Sequence, residues 1–402
     1  MSRAAGKAQK SHAKALDRYA TVAELCRKRQ PATPVYALYP KRIKRAVERF
    51  LTGFPGRTLY AVKANPALPV LDLLYASGVR DFDTASFPEV ELIARRFPQA
   101  KCHFMTPIRI RGWAGEAYRR FGVRHFVIDD IRELNIILAE TRARTPAERK
   151  GLTIFVRLAT PVEGAFLELS SKFGVDAEQG AELLKAVAET GCRPALTFHV
   201  GTLCIKPEAY AQALDICRQA IEASGVEIAA LDVGGGFPAP YPGLAVPPMD
   251  QFFAAIKTAR KTLKLKPGAD LFCEPGRALV AEGVSVVTQV IRRRGERLYI
   301  NDGIYGSLDE MTLPDWNVEY PRRVFMTTGE KAVVEVGGPR RPFKIFGPTC
   351  DTLDVLPKPI LLPHTIEAGD YVEFGMVGAY SCALRTAFNG FYPDNFALVN
   401  EA

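Results

Sequence analysis

Between residues 58 and 276 the chain alternates short β-rich runs with stretches of helical period, and few folds accept that rhythm. The runs are 58–65 (TLYAVKAN), 81–86 (DFDTAS), 102–107 (CHFMTP), 125–129 (HFVID), 153–159 (TIFVRLA), 195–201 (ALTFHVG), 230–236 (ALDVGGG) and 271–276 (LFCEPG). Amphipathic segments such as 87–97, 130–142, 177–190 and 207–223 separate them. Eight strands so spaced predict a (β/α)8 barrel, and their near-continuous apolar character suits strands buried on both faces. Lys63, Asp83, Arg157, His199, Gly234 and Glu274 all fall at the C-terminal ends of their runs. That is the face on which such barrels carry their chemistry.

After about residue 278 the rhythm changes. Runs 278–292, 296–301, 331–336, 343–346, 370–375 and 396–400 have strand character with little helix between them. They predict a mostly antiparallel β-domain, which 33–38 (TPVYAL) joins before the chain enters the barrel. The expected division is a flexible basic tail over 1–20, a segment over 21–38 that joins the β-domain, a barrel over 39–277 and the β-domain over 278–402. The long stretches 303–323 and 348–368 read as irregular.

A chain of 402 residues exceeds one small core, which fits two domains. No apolar run reaches membrane-spanning length, and the N-terminus lacks the hydrophobic stretch of a secretory signal. The net charge of +9 is scattered, densest at Arg3, Lys7, Lys10 and Lys14 and at Arg292–Arg293–Arg294. This reads as a solvated tail and a basic surface loop, suited to an anionic cofactor, with no nucleic-acid or membrane partner. Eight cysteines form no Cys-x-x-Cys pair and no zinc-spaced cluster with histidine. The expectation is no metal, and free thiols in a reducing cytoplasm.

The motifs fall in one order: Lys63 in YAVKANP, His199 in FHVGT, Gly234–Gly235–Gly236 in DVGGGFP, then Glu274–Pro275–Gly276–Arg277, then Cys350–Asp351 in GPTCDTLD. Burial at a barrel mouth is expected to lower the Lys63 pKa and leave an amine able to hold an aldehyde. DVGGGFPA also fits a loose dinucleotide pattern, but Pro238, Pro240, Pro242, Pro247 and Pro248 oppose the helix that pattern should open. A rigid loop whose amides face an anion is the better reading. The glycines follow the seventh run and Arg277 the eighth, where a barrel's phosphate site is usually built. A carboxylate at 274 would hold a proton on a pyridine nitrogen; its structural alternative is a salt bridge to Arg277. His199 alone would be a satisfied core residue, and Cys350 alone a buried hydrophobe. Together the set reads as a pyridoxal 5'-phosphate site.

On these motifs the chain resembles the ornithine decarboxylase-like family, the fold-type III pyridoxal-phosphate decarboxylases, along nearly its whole length. The resemblance implies that Lys63 carries the cofactor, that His199 lies flat on its ring, and that Asp83 and Arg157 brace cofactor and lysine. It implies phosphate binding by Gly234, Gly235, Gly236, Gly276, Arg277 and Tyr380 (in GAYS), with Thr202 where the family usually has serine. It further implies a homodimer with shared sites: Cys350 comes from the partner subunit and returns a proton to the substrate α-carbon. Asp351 would contact the substrate's distal amine. Tyr305, in NDGIYGS, belongs to the same pocket. The stretch that follows, LDEMTLPDWNVEYP, departs from the family; Asp315 lies near its second acidic position, with Asp309 and Glu310 as rivals.

The implied reaction is decarboxylation of a basic L-amino acid, with ornithine to putrescine favoured by family frequency and lysine or arginine as alternatives. Diaminopimelate decarboxylases carry glutamate after the thiol, where this chain has Asp351. Racemases of related fold carry arginine in place of Glu274. A catalytically silent regulatory homologue would have no chemical need of Lys63, Glu274, Arg277, Cys350 and Tyr380.

Overall fold

The computed structural model describes residues 16–161, 163–166, 171–314, 316–328 and 332–401. Eight parallel strands close into a barrel: Arg57–Ala61, Asp81–Thr84, Lys101–Phe104, His125–Ile128, Thr153–Arg157, Arg193–Thr197, Ile228–Asp232 and Leu265–Cys273. The eighth pairs with the first, Phe272 opposite Arg57. Helices Phe87–Arg96, Ile131–Thr141, Ala177–Glu189 and Glu208–Ser224 pack outside it. The first three start on Ser86, Asp130 and Asp176, whose side chains accept first-turn N–H groups.

At their C-terminal ends the sequence runs overshoot the strands. Lys63 lies in a 3-10 turn, Val62–Ala64, rather than in the ladder. The segment after Asp232 stays irregular until the helix Met249–Arg260. Glycines with positive φ and the five prolines remove the geometry and the donors that a ladder needs.

Side chains inside the barrel lie in layers. At the base, His103 Nε2 meets Asp81 Oδ1 at 2.9 Å, and His103 Nδ1 lies 2.8 Å from His125 Nδ1. Above them Leu59, Met105, Val127, Phe155, Ala195, Ala230 and Phe272 form an apolar plug of their own. The base packs on it, His103 with its centroid 5.6 Å from that of Phe272 and His125 5.4 Å from that of Phe155. Asp83, Asp232 and Glu274 stand above the plug.

The second sheet is built on the strand Val284–Arg294, which pairs antiparallel with Val35–Leu38, Arg297–Ile300 and Tyr371–Phe374. Six of the nine pairings in this sheet among the described residues are antiparallel. Strand Ile360–Pro363 falls in a stretch read as irregular, where Pro357, Pro359 and Pro363 hide its pattern. Strand Arg322–Thr328 begins in another. Among the described residues no helix is long and apolar enough to cross a membrane, and no cluster of His, Cys, Asp and Glu could hold a metal.

The histidine base makes a testable contribution to stability. Burial first, then the charges of His103, Arg57, Arg193 and Lys101, push the His125 pKa well below its ordinary 6.5. The folded state therefore favours neutral His125. This stabilisation is complete above pH ~6.5 and is lost as pH falls and the unfolded chain takes up the proton. Raised buried acids such as Asp302 act in the opposite sense, so the readout is a difference. The Tm gap between wild type and His125→Asn should shrink as pH falls from about 8 to about 5.5; a constant gap would contradict the assignment.

Candidate active site

The turn after the first barrel strand aims Lys63 into the C-terminal mouth. Its side chain keeps 41% of its surface open, and its Nζ donates to Asp83 Oδ2 at 3.2 Å, whereas Asp83 is buried. Burial pushes the Lys63 pKa down, but Asp83 and then Glu274 outweigh it and hold the ammonium above its ordinary value. The expectation of a lowered lysine pKa is therefore corrected. It considered desolvation and left out two acids from other strands.

Those acids are themselves under-partnered. Four buried carboxylate oxygens meet no N–H or hydroxyl donor among the described residues, and three are at this mouth: Asp83 Oδ1, Asp232 Oδ2 and Glu274 Oε1, the last two belonging to carboxyls that hydrogen-bond each other. Desolvation and the neighbouring Asp232 and Asp83 raise the Glu274 pKa well above the usual carboxylate range. Asp232 is pushed up to about 6, chiefly by burial. Such a cluster calls for a cation or an N–H donor. A protonated pyridine nitrogen is both, so these residues fit pyridoxal phosphate.

The remaining walls come from loops. His199 accepts the Gly201 N–H on Nδ1 at 3.0 Å, which fixes its ring, and burial with the charges of Lys63 and Arg157 keeps it neutral. Gly234 has φ +65°, and a Cβ there would lie 2.0 Å from the Phe198 carbonyl oxygen. A Cβ on Gly235 would lie 2.8 Å from both the Glu274 carbonyl and His199 Nε2, so the close approach of these segments requires glycine. The Thr202 loop packs on this turn, Cys204 N–H donating to the Gly236 carbonyl at 2.9 Å. Leu203 there has φ +52°, a strained setting for a branched side chain.

Arg277 follows Gly276 at the start of a short helix. Its pair is Glu310, with Nη1 donating to Oε2 at 2.9 Å and Nη2 to Oε1, and Nη1 also reaches Tyr241 Oη at 2.8 Å. This answers the alternative of a Glu274–Arg277 salt bridge, and it takes Glu310 out of contention as a free acid. Three of the five guanidinium donors are committed, leaving two for a phosphate. The Tyr380 ring lies 5.0 Å from the guanidinium, and the Tyr380 N–H donates to the Ala64 carbonyl at 2.7 Å, tying the second domain to the lysine turn.

Arg157 does not hydrogen-bond Asp83. It lies over the Phe173 ring at 5.3 Å, in the field of Glu274, Asp129, Asp83 and Asp232. Cys350, Asp351 and Tyr305 form a separate group on the second domain. Cys350 is exposed, and its N–H donates to Asn389 Oδ1 at 3.0 Å. Asp351 accepts the Leu353 N–H at 2.9 Å and the Tyr305 hydroxyl, which hold its pKa below the usual value. No hydrogen bond or ion pair among the described residues links this group to Lys63, Glu274 or Arg277. Asp315 lies outside the described residues. Sequence reasoning missed Asp232, Tyr241 and the pairing role of Glu310. Only Asp232 carried a signal, an acid at a strand end two residues before Gly234.

A lysine and three acids at a barrel mouth, beside glycine amides and an arginine, define a site for an anionic, nitrogen-bearing cofactor. The family model for the pyridoxal-dependent decarboxylase, pyridoxal binding domain, matches residues 40–281. The chain is 32% identical over 345 residues to a lysine/ornithine decarboxylase of Selenomonas ruminantium, covering 83% of this chain and 81% of that one. It is 30% identical over 369 residues to an ornithine decarboxylase of Panagrellus redivivus, covering 85% and 80%. The crystal structure of a lysine/ornithine decarboxylase complexed with cadaverine from Vibrio vulnificus matches with TM-score 0.77 and 30% identity, over 95% of this chain and 100% of that one. The chain belongs to the ornithine decarboxylase-like family of pyridoxal-dependent decarboxylases. Its cofactor is pyridoxal phosphate, and its reaction is the decarboxylation of an amino acid.

Deleting one member of the buried Arg277–Glu310 pair should leave an uncompensated charge. Glu310→Ala should cost roughly 3–5 kcal/mol in chemical denaturation of the cofactor-free protein. Saturating pyridoxal phosphate, whose phosphate would pair Arg277 again, should recover much of it. An equal loss with and without the cofactor would separate Arg277 from the phosphate.

Proposed function

We propose that this enzyme decarboxylates a basic L-amino acid, with L-ornithine to putrescine as the leading reaction, in sites shared between two subunits. The observation that carries the substrate class is Asp351, a half-buried acid kept ionised by the Leu353 N–H and the Tyr305 hydroxyl. An acid so prepared, with the Tyr305 and Phe388 rings 4.8 Å apart beside it, suits the distal ammonium of an extended substrate. The named activities of the Selenomonas and Panagrellus relatives support the same class.

Bound pyridoxal phosphate supplies an electron sink when the Cα–carboxylate bond breaks. The chain's own residues do the rest. Lys63 holds the aldehyde carbon, and Asp83 holds Lys63. Glu274 keeps the proton on the ring nitrogen. Pairing Glu274 with that N–H also removes one of the two charges that bind the Lys63 proton, which eases the amine toward its neutral form. His199, fixed through Nδ1, would stack on the ring. The amides of Gly234–Gly236 and Gly276, the two open donors of Arg277 and the Tyr380 hydroxyl bind phosphate, with Thr202 and Arg157 around them. The partner subunit's Cys350 returns a proton to Cα, and the partner subunit's Asp351 fixes the distal end.

Dimerisation is supported by exposed apolar side chains close in the chain to Cys350 and to Asn389, which its N–H bonds: Leu353, Phe388, Phe391 and Tyr392. Apolar groups so gathered mark a protein interface. Eight free thiols suit a reducing, cytoplasmic setting.

Two experiments test this reading. A panel of ornithine, lysine, arginine and diaminopimelate, assayed for CO2 release, should show a basic substrate preferred. Asp351→Asn should lower kcat/KM for it by about 2–5 kcal/mol of transition-state binding; preference for diaminopimelate or a neutral amino acid would refute the substrate class. Mixing inactive Lys63→Ala with inactive Cys350→Ala should restore part of the activity, because one hybrid site is wild type. No recovery after proven subunit exchange would refute shared sites.

A further inference from the structure

Asp232 has no part in the chemistry assigned so far, yet it is the most enclosed acid in the site. Its side chain is wholly buried, Oδ1 accepts the Gly234 N–H at 2.8 Å, and the carboxyl also hydrogen-bonds the Glu274 side chain. It ends the seventh barrel strand in register with Phe272 of the eighth. Two residues on, the Glu274 N–H donates to the Gly234 carbonyl at 2.7 Å. The two acids thus stand side by side at the ends of neighbouring strands, hydrogen-bonded to each other, and neither buried oxygen that faces the mouth meets an N–H or hydroxyl donor.

The backbone does not require this arrangement, since asparagine would accept the Gly234 N–H equally well. The titratable and charged groups around the pair are Lys63 from the first strand's turn, Asp83 from the second strand, His103 from the third and Arg157 from the fifth. The Asp232 and Glu274 carboxyls hydrogen-bond each other and Asp232 raises the Glu274 pKa, so the pair shares a proton that a pyridine nitrogen arriving beside Glu274 would take up.

We propose that Asp232 is a positioning residue for the cofactor's ring nitrogen: it holds Glu274 against that nitrogen and adds the second buried negative charge that keeps the proton there. The proposal rests on the assignment of Glu274 to the ring nitrogen. Neutralising Asp232 should therefore loosen the ring proton while leaving the cofactor attached.

The test loads the protein with pyridoxal phosphate labelled with 15N in the ring and follows the ring-nitrogen chemical shift against pH. Wild type should hold the protonated signal through neutrality. Asp232→Asn should move the titration to lower pH by a tenfold or greater loss of proton affinity, with cofactor absorbance retained. Glu274→Gln is the control. If its signal matches wild type, the assignment of Glu274 fails. If Glu274→Gln shifts and Asp232→Asn does not, the proposal for Asp232 is overturned. Should Asp232→Asn misfold, Asp232→Ser carries the same expectation. Folded variants at 232 that lose the cofactor where Glu274→Gln keeps it would also overturn the proposal.

Discussion

The site depends on an imbalance of charge: Asp83, Asp232 and Glu274 buried around one lysine at the mouth of a closed barrel. Carboxylates taken out of water are tolerated only where protons, cations or N–H donors answer them. Here Asp232 and Glu274 answer each other with a shared proton, and one oxygen of each of the three acids meets no N–H or hydroxyl donor. The apolar plug beneath excludes water from below, and the strand ladder fixes where each acid stands. This rigidity lets the mouth keep an arrangement that a looser structure would relax, and it suits a cofactor with a basic ring nitrogen.

The second domain is part of the same device. Tyr380 N–H bonds the Ala64 carbonyl and Asn65 Nδ2 bonds the Gly378 carbonyl at 2.8 Å, so both sides of the lysine turn are held by one loop. Glu310 reaches across to Arg277. Tyr320, from the same segment, donates to Glu310 at 2.8 Å, and Trp316 Nε1 donates to Tyr320 at 3.1 Å. The segment that departs from the family's pattern is thus anchored to the arginine assigned to phosphate.

The barrel was legible because its period is local: apolar runs, helical spacers and polar residues at run ends can all be read along the chain. The identity of Lys63, His199, the glycines, Glu274 and Arg277 as a group was legible for the same reason, each carrying a short motif. What could not be read was set by partners far away. The strands stop short of Lys63 and Gly234 because the turns beyond them serve the site. Arg277 pairs with Glu310 instead of Glu274, a choice made between residues 33 and 3 positions away. The Lys63 ammonium is held up by acids from the second and eighth strands, which no inspection of YAVKANP reveals. Asp232 was quoted in its motif and passed over, because only burial shows that it faces Glu274.

Covalent trapping gives the most direct check. Borohydride reduction of the holoenzyme, proteolysis and peptide mapping should find the pyridoxyl group on the peptide containing Lys63 and on no other. Its recovery on a different lysine, or the absence of any reducible adduct in protein that is folded and saturated with cofactor, would contradict the assignment of the barrel mouth as the cofactor site.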